Sequence, residues 1–320
     1  MRNYRICSIA IVGATFFAGS AHAEMKTVDL TYIVDHPAID AARKGIVDAL
    51  AEAGFNDGQT IKLEVQSAQG NGATQTQIAK KFAGDGPSLI IAISTPSAQA
   101  CQAATSSVPI VFSAVTDPVG AKLVASLDHP GRNITGTSDQ QPYGAAFELI
   151  RSLTPAAKRI GVIYNAGEAN SAAQVAAYKT EAAKRGLSIV EASAAQSAMV
   201  PDAARSLVGR ADAILIPTDS TVVSAIESVV KVGTDAKLPV YASDTDSVER
   251  GAMAALGFNY YELGKLSGRI AARVLKGEKP ADIPVGLLDK QDLYLNLTAA
   301  KRMGVEISDE VAAGASKVIR

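Results

Sequence analysis

The chain has 320 residues, 48% of them apolar, with a net charge of −1 and no Trp. That length suits two domains of ordinary size, each with a sizeable core. The charge is nearly balanced and no run of Lys and Arg occurs, which argues against nucleic acid as a partner.

The N-terminus reads as an export leader. Arg2 and Arg5 form a positive start, ICSIAIVGATFFAG is an apolar run too short to span a bilayer, and Ala21-His22-Ala23 is a small-residue cleavage site. Residues 1–23 are expected to be removed as a signal peptide, and the mature chain to begin at Glu24. Cys7 lies before the apolar run rather than after it, which argues against a lipid anchor there. Once the leader is gone Cys101 stands alone, so no intramolecular disulfide can form. Its setting, AQACQAA, makes it a small packed hydrophobe. A soluble, exported, periplasmic protein held by its cores is expected.

After the leader, short β-branched runs alternate with amphipathic segments. The runs 28–34, 61–67, 88–94 and 109–115 are expected to be buried parallel strands. Between the first two, AIDAARKGIVDALAEAGF places Ile39, Ala42, Ile46, Ala49, Leu50 and Ala53 on one helical face and ends near Gly54. Strand, helix and strand at this spacing form a βαβ unit, hence a parallel sheet covered by helices. The series then restarts, with strands expected at 158–165, 187–193, 212–218 and 239–244 and helices at 171–186, 198–210 and 220–236. The turn-rich stretch 133–142 is the expected linker. A further strand at 251–259, a helix after it and an extended segment at 283–296 follow. An added strand and helix returning to the first unit would give two or three crossings between units, which restrict them to hinge bending.

The two units match at their strand ends. VDHPAID pairs with YNAGEANSAA, Ser94-Thr95-Pro96-Ser97 with Pro217-Thr218-Asp219-Ser220, and PIVFSAVTDPV with PVYASDTDSV. All six clusters fall at the carboxyl end of a strand and the start of a helix. There open α/β sheets place ligands, backbone N–H groups are unpaired and the helix dipole is positive. Each cluster alone is explained by helix capping; six at equivalent places, facing one another, would converge on one cavity.

The segments DHPAID, STPSAQA, TDPVGAKLVASLDHPGRNITGTS, PTDS, SDTDSVERGAMAALGFNYYELG and LNLTAAKRMG carry a family resemblance over essentially the whole mature chain. Together they resemble the substrate-binding proteins of bacterial ABC importers, and within these the family that includes tryptophan- and tyrosine-binding members. The resemblance implies the type I periplasmic-binding architecture: two Rossmann-like, doubly wound α/β lobes joined by a multi-strand hinge. Residues 24–137 plus 257–285 would form the N-terminal lobe, and 138–256 plus 286–320 the C-terminal lobe. It also implies hinge closure on a small ligand, an amino acid or a related molecule, and delivery by a monomer to a membrane permease with a cytosolic ATPase. No cofactor, metal or catalytic residue is expected.

An α-amino acid tests the site chemistry. Its carboxylate needs donors without a nearby anion, and Ser94 and Thr95 offer hydroxyls at a helix start where Pro96 fits the first turn. Its ammonium needs one acid. Asp117, Asp219, Asp244 and Asp246 are candidates; Asp244 is first choice because it follows its strand end soonest, and Asp117 and Asp246 are more easily read as caps. Asn170 and Ser171 could reach the ligand from the other lobe, with Ala114, Thr116, Thr218 and Ser243 completing the set. Glu168 reads as a solvated loop acid. His36 either lines the cleft or caps its helix, and Tyr32, Tyr143 and Tyr164 either stack on a ring or fill a core.

Other classes find little support. His36 and His129 are far apart, no G-x-S-x-G occurs, and Gly70-Asn71-Gly72 lacks the third glycine of a dinucleotide loop. A repressor of the same fold would carry a DNA-binding headpiece where this chain has a leader. A periplasmic sensor docking on a receptor is not distinguished from a transport component.

Overall fold

Apolar β-branched runs bounded by helix-start residues organise the molecule, a computed structural model that describes residues 25–320. The expected leader lies outside these residues. The first series comprises β1 (Lys26–Tyr32), α1 (Pro37–Glu52), β2 (Ile61–Ser67), α2 (Gly72–Asp85), β3 (Leu89–Ile93), α3 (Thr95–Ala104), β4 (Ile110–Ser113) and β5 (Ile134–Gly136). Its strands form an all-parallel sheet in the order β2-β1-β3-β4-β5.

The second series begins with α4 (Tyr143–Leu153), β6 (Arg159–Tyr164), α5 (Ala169–Ala183), β7 (Ser188–Ser193), α6 (Val200–Ser206) and β8 (Ala213–Ile216). It continues through α7 (Ser220–Ser224), α8 (Ile226–Ala236), β9 (Val240–Ala242), α9 (Asp246–Glu249) and β10 (Ala254–Gly257). The chain ends with α10 (Tyr260–Leu275), β11 (Asp292–Asn296), α11 (Leu297–Arg302), α12 (Asp309–Ala313) and β12 (Lys317–Ile319). The second sheet runs β12-β11-β10-β9-β8-β6-β7, parallel except where β10 meets β11.

Strand alternation divides the first lobe's core. Leu89, Ile91 and Ile93 of β3 pack with α1 and α10, whereas Ile90 and Ala92 pack with Ile78, Phe82, Ala98 and Cys101 of α2 and α3. Cys101 is fully buried, and burial pushes its thiol up to about 12, so it is an inert packed side chain. The second lobe has a larger cluster, centred on β6, β8 and β9.

Three expectations change. Residues 134–136 are a strand rather than linker: Ile134 is fully buried and Thr135 Oγ1 donates to the Ile283 carbonyl at 2.7 Å. A three-residue strand with one apolar side chain has too little pattern to stand out. The helix expected over 220–236 is two, α7 and α8, broken at Ala225 with φ −120° and ψ 24°. The strand near 251–259 stays in the second sheet, and only the helix after it returns to the first lobe.

The chain therefore crosses between lobes three times, at 137–142, 258–259 and 286–291. Two crossings pair: Thr137 bridges Gly286, Ser138 N donates to Gly286 O at 2.9 Å and Gly286 N to Gly136 O at 2.8 Å. Helix α10 is anchored on α1 by close backbone approach. A methyl group added at Gly264 would collide with the Ala42 carbonyl, and one at Gly45 with the Tyr261 carbonyl. Among the described residues no helix is long and apolar enough to cross a membrane.

Candidate functional site

The carboxyl ends of β1, β3 and β4 face those of β6, β8 and β9, and a narrow cavity of about 30 Å³ is enclosed between them. His36, Ala38 and Ile39 follow β1; Ser94 and Thr95 follow β3; Ala114 and Thr116 follow β4. From the other lobe come Asn170 after β6, Thr218, Asp219, Ser220 and Val223 after β8, and Asp244 after β9. Asp139 and Tyr260, both beside crossings, complete the lining. All six strand-end clusters thus reach one cavity.

Of the candidates, His36, Ser94, Thr95, Ala114, Thr116, Asn170, Thr218, Asp219 and Asp244 line it. Asp117, Ser171 and Ser243 do not. Asp117 Oδ1 accepts from Gly120 N at 2.8 Å, within its own turn. Ser171 is fully buried behind Asn170, whose Nδ2 donates to its hydroxyl at 3.3 Å. Ser243 Oγ is spent on Ile216 O at 2.9 Å and Tyr178 OH at 2.7 Å. Tyr32 bonds Asp35, Tyr164 bonds Glu191, and Tyr143 packs edge-on against Tyr178, so none reaches the cavity.

A buried polar chain supports each wall. In the first lobe, Gln75 joins Thr31 to Ser97, and Ser97 Oγ lies 3.3 Å from Ser94 Oγ. In the second, Gln174 Oε1 accepts from both N and Oγ1 of Thr218 at 2.9 Å, and Gln174 Nε2 donates to Tyr178 OH, which meets Ser243. The fixed walls hold strained backbone: Ser94 has φ 83° and ψ 156°, and Ala114 has φ 55°. Such conformations persist in non-glycine residues only where the surroundings over-determine them, at a cost of roughly 1–3 kcal/mol each.

The acids divide by what holds them. Asp244 Oδ1 accepts from Ser247 N at 2.8 Å and Oδ2 from Ser247 Oγ at 2.6 Å, so it caps α9, the role expected of Asp246. Asp246 does not line the cavity. Asp219 accepts from Val222 N at 2.8 Å and Asn165 N at 2.6 Å. Burial, helped by the neighbouring Glu168 carboxylate, pushes Asp219 up to about 7. Glu168 is not a solvated loop acid: it is buried and accepts from Ser220 N and Thr221 N, both at 3.0 Å. The unpaired N–H groups opening α7 draw it in. Asp139 is fully enclosed, its Oδ2 accepting from Tyr260 OH at 2.6 Å; burial raises its carboxyl above the usual range.

Four buried side-chain atoms lining the cavity have no hydrogen-bonding partner within the protein: His36 Nδ1, Thr95 Oγ1, Asp139 Oδ1 and Asn170 Oδ1. Unpaired buried polar atoms are scarce in folded proteins, and four around one cavity suit a polar ligand. Burial, reinforced by Arg250, lowers the His36 imidazole to about 3, so it stays neutral. No Lys or Arg lines the cavity.

The sequence reading missed Asp139, Tyr260, Ala38, Ile39, Ser220 and Val223. The available signal for Asp139 was an acid within the turn-rich stretch between repeated units; for Tyr260 it was an aromatic pair directly after a strand. Neither sits in a repeated cluster.

The family model described as "ABC transporter substrate binding protein" matches residues 27–319. A tyrosine-binding protein of Clostridioides difficile is 43% identical over 283 residues, covering 88% of this chain and 82% of that one. A solved ABC domain from Streptococcus pneumonia, in complex with L-Trp, is 35% identical and superposes with a TM-score of 0.89, covering 92% of this chain and 100% of that one. A ligand-free, open structure of a substrate-binding protein with adhesive properties from Clostridium difficile is 43% identical. It covers 92% of this chain and 99% of that one, yet its TM-score is 0.69. The two-lobe type I periplasmic-binding architecture expected from the sequence is the one observed. With a model match over nearly its whole described length, the chain belongs to the ABC transporter substrate-binding protein family.

Proposed function

We propose that this protein captures an aromatic L-α-amino acid, tyrosine or tryptophan, by closing its two lobes, and delivers it to an ABC permease driven by a cytosolic ATPase. It works as a monomer in the periplasm once residues 1–23 have been removed, without a cofactor and without catalysing a reaction. The observation that carries this reading is the interlobe cavity with four unpartnered buried polar atoms, two from the first lobe, one from the second and one from a crossing.

Ser94 and Thr95 receive the ligand's carboxylate at the start of α3, where the helix dipole contributes roughly 0.3–2 kcal/mol. Ala38, Ile39 and Val223 offer apolar contact to the side chain, and His36 and Asn170 supply polar contacts. The printed ligands of two relatives, tyrosine and L-Trp, support an aromatic amino acid. Closure is supported by a contrast: the more identical open structure superposes less well than the less identical L-Trp complex. A difference in lobe position between a ligand-bound and an open form would give that order.

Calorimetric titration with tyrosine and tryptophan, paired with small-angle scattering, tests the reading. Saturable binding with a compaction on ligand addition is expected. Absence of binding by either amino acid would sink it.

A further inference from the structure

We infer that Asp139 is the specificity-determining residue that receives the ligand's α-ammonium group, and that Tyr260 positions it; this rests on the amino-acid reading above. Three acids line the cavity: Asp139, Asp219 and Asp244. Both oxygens of Asp244 are occupied by Ser247, and both oxygens of Asp219 by backbone N–H groups of Val222 and Asn165. Asp139 differs: Tyr260 OH holds Oδ2 at 2.6 Å, and Oδ1, enclosed, has no partner of hydrogen-bond geometry, the Thr116 hydroxyl being the one other side-chain donor near the carboxyl. A carboxylate with one oxygen tethered and one open is the arrangement that orients a charge-assisted hydrogen bond from an ammonium group.

Charge balance points the same way. The lining holds three acids and no Lys or Arg, so a ligand ammonium would meet acceptors and no like charge there. A deaminated analogue leaves Asp139 enclosed and unpaired, which is how a site built around one polar group rejects a ligand lacking it.

Position adds a second consequence. Asp139 lies on the crossing 137–142, and Tyr260 opens α10 immediately after the crossing 258–259. Their hydrogen bond ties two of the three crossings together. The ammonium is therefore held at the hinge, while the two walls close over the rest of the ligand.

The test uses the full mature chain and the fluorescence anisotropy of L-tryptophan, which the protein's lack of Trp leaves free of background. Indole-3-propionate serves as the amine-less analogue, read by competition and by thermal shift. Asp139→Asn should weaken L-tryptophan by about 30-fold or more while changing indole-3-propionate little. Asp244→Asn should weaken L-tryptophan far less. Tyr260→Phe should weaken L-tryptophan by about 5-fold, again sparing the analogue. The inference is overturned if Asp139→Asn binds L-tryptophan within about 3-fold of the wild type, or if it loses both ligands equally. Melting curves of each variant show whether it is folded. A thermal-shift panel of the other amino acids separates the two readings. If another amine stabilises the wild type where tryptophan and tyrosine do not, the aromatic reading falls and Asp139→Asn is judged on that amine. If no amine stabilises it, both fall.

Discussion

Thr116 of the first lobe and Thr218 of the second meet across the cavity, Oγ1 to Oγ1 at 3.2 Å. Thr218 Oγ1 also bonds Gln174 Oε1 at 2.9 Å, so the contact continues the polar chain of the second lobe's wall. The contact joins the walls directly and exists only while the lobes are together. Thr116→Val and Thr218→Val should each weaken ligand binding by about 0.5–1.5 kcal/mol, and the double variant by less than the sum. A double-mutant cycle on the dissociation constant measures the coupling; strict additivity would mean that the pair does not hold the closed form.

Asp244 anchors the first turn of α9 through Ser247. Asp244→Ala should lower stability by about 1–2 kcal/mol, since it deprives Ser247 of partners for both N–H and hydroxyl in a buried setting. Asp246→Ala, which removes no such bond, should cost less. Urea denaturation of the ligand-free protein compares them, and equal losses would remove the capping role from Asp244.

In the ligand-free protein the buried acids lower stability as the pH rises from about 4 to 7, while His36, held at about 3 against an ordinary 6.5, raises it over the same range and offsets part of the fall. Burial first, then repulsion from Glu64, holds the Asp29 carboxyl at about 6 against an ordinary 3.8. Between those values the folded chain keeps a proton that the unfolded chain has released, so this group's contribution is present at low pH and lost as pH rises through the folded value. Asp246, at about 6, and Asp219, at about 7, act in the same direction. Asp29 Oδ2 lacks a partner, which makes Asp29→Asn the clean variant. It should flatten the decline between about pH 4 and 6, by at most roughly 3 kcal/mol. An unchanged slope in chemical denaturation across that range would contradict this account.

Helix α10 returns to the first lobe through backbone contact with α1 at Gly45 and Gly264. Gly264→Ala should destabilise the protein by about 1–3 kcal/mol or more, because the collision is with backbone, which cannot swing aside. Thermal melting reads the loss. A variant as stable as the wild type would show that the two helices can separate without cost.

Much of the fold could be read along the chain, because strand and helix impose periods of their own. The runs at 61–67 and 158–165 and the amphipathic face of α1 carry those periods plainly. The strand at 134–136 does not, since its burial is decided by β4 and Ile283 rather than by its own pattern. Strand-end clusters were also visible, as small polar residues placed where helices begin.

Local patterning along the chain sets a repeated α/β unit, the polar strand ends and a supply of hydroxyls and acids at them. These are local matters, settled by side-chain period, helix capping and turn chemistry. Which acid remains open to a ligand was decided only in three dimensions. Asp244 and Asp139 are both buried acids, and no local pattern distinguishes them. Asp244 spends both oxygens on a residue three positions away, whereas Asp139 gives one to Tyr260, 121 positions away, and keeps the other. Partnering between such distant groups depends on how the crossings bring the lobes together, which no stretch of chain records.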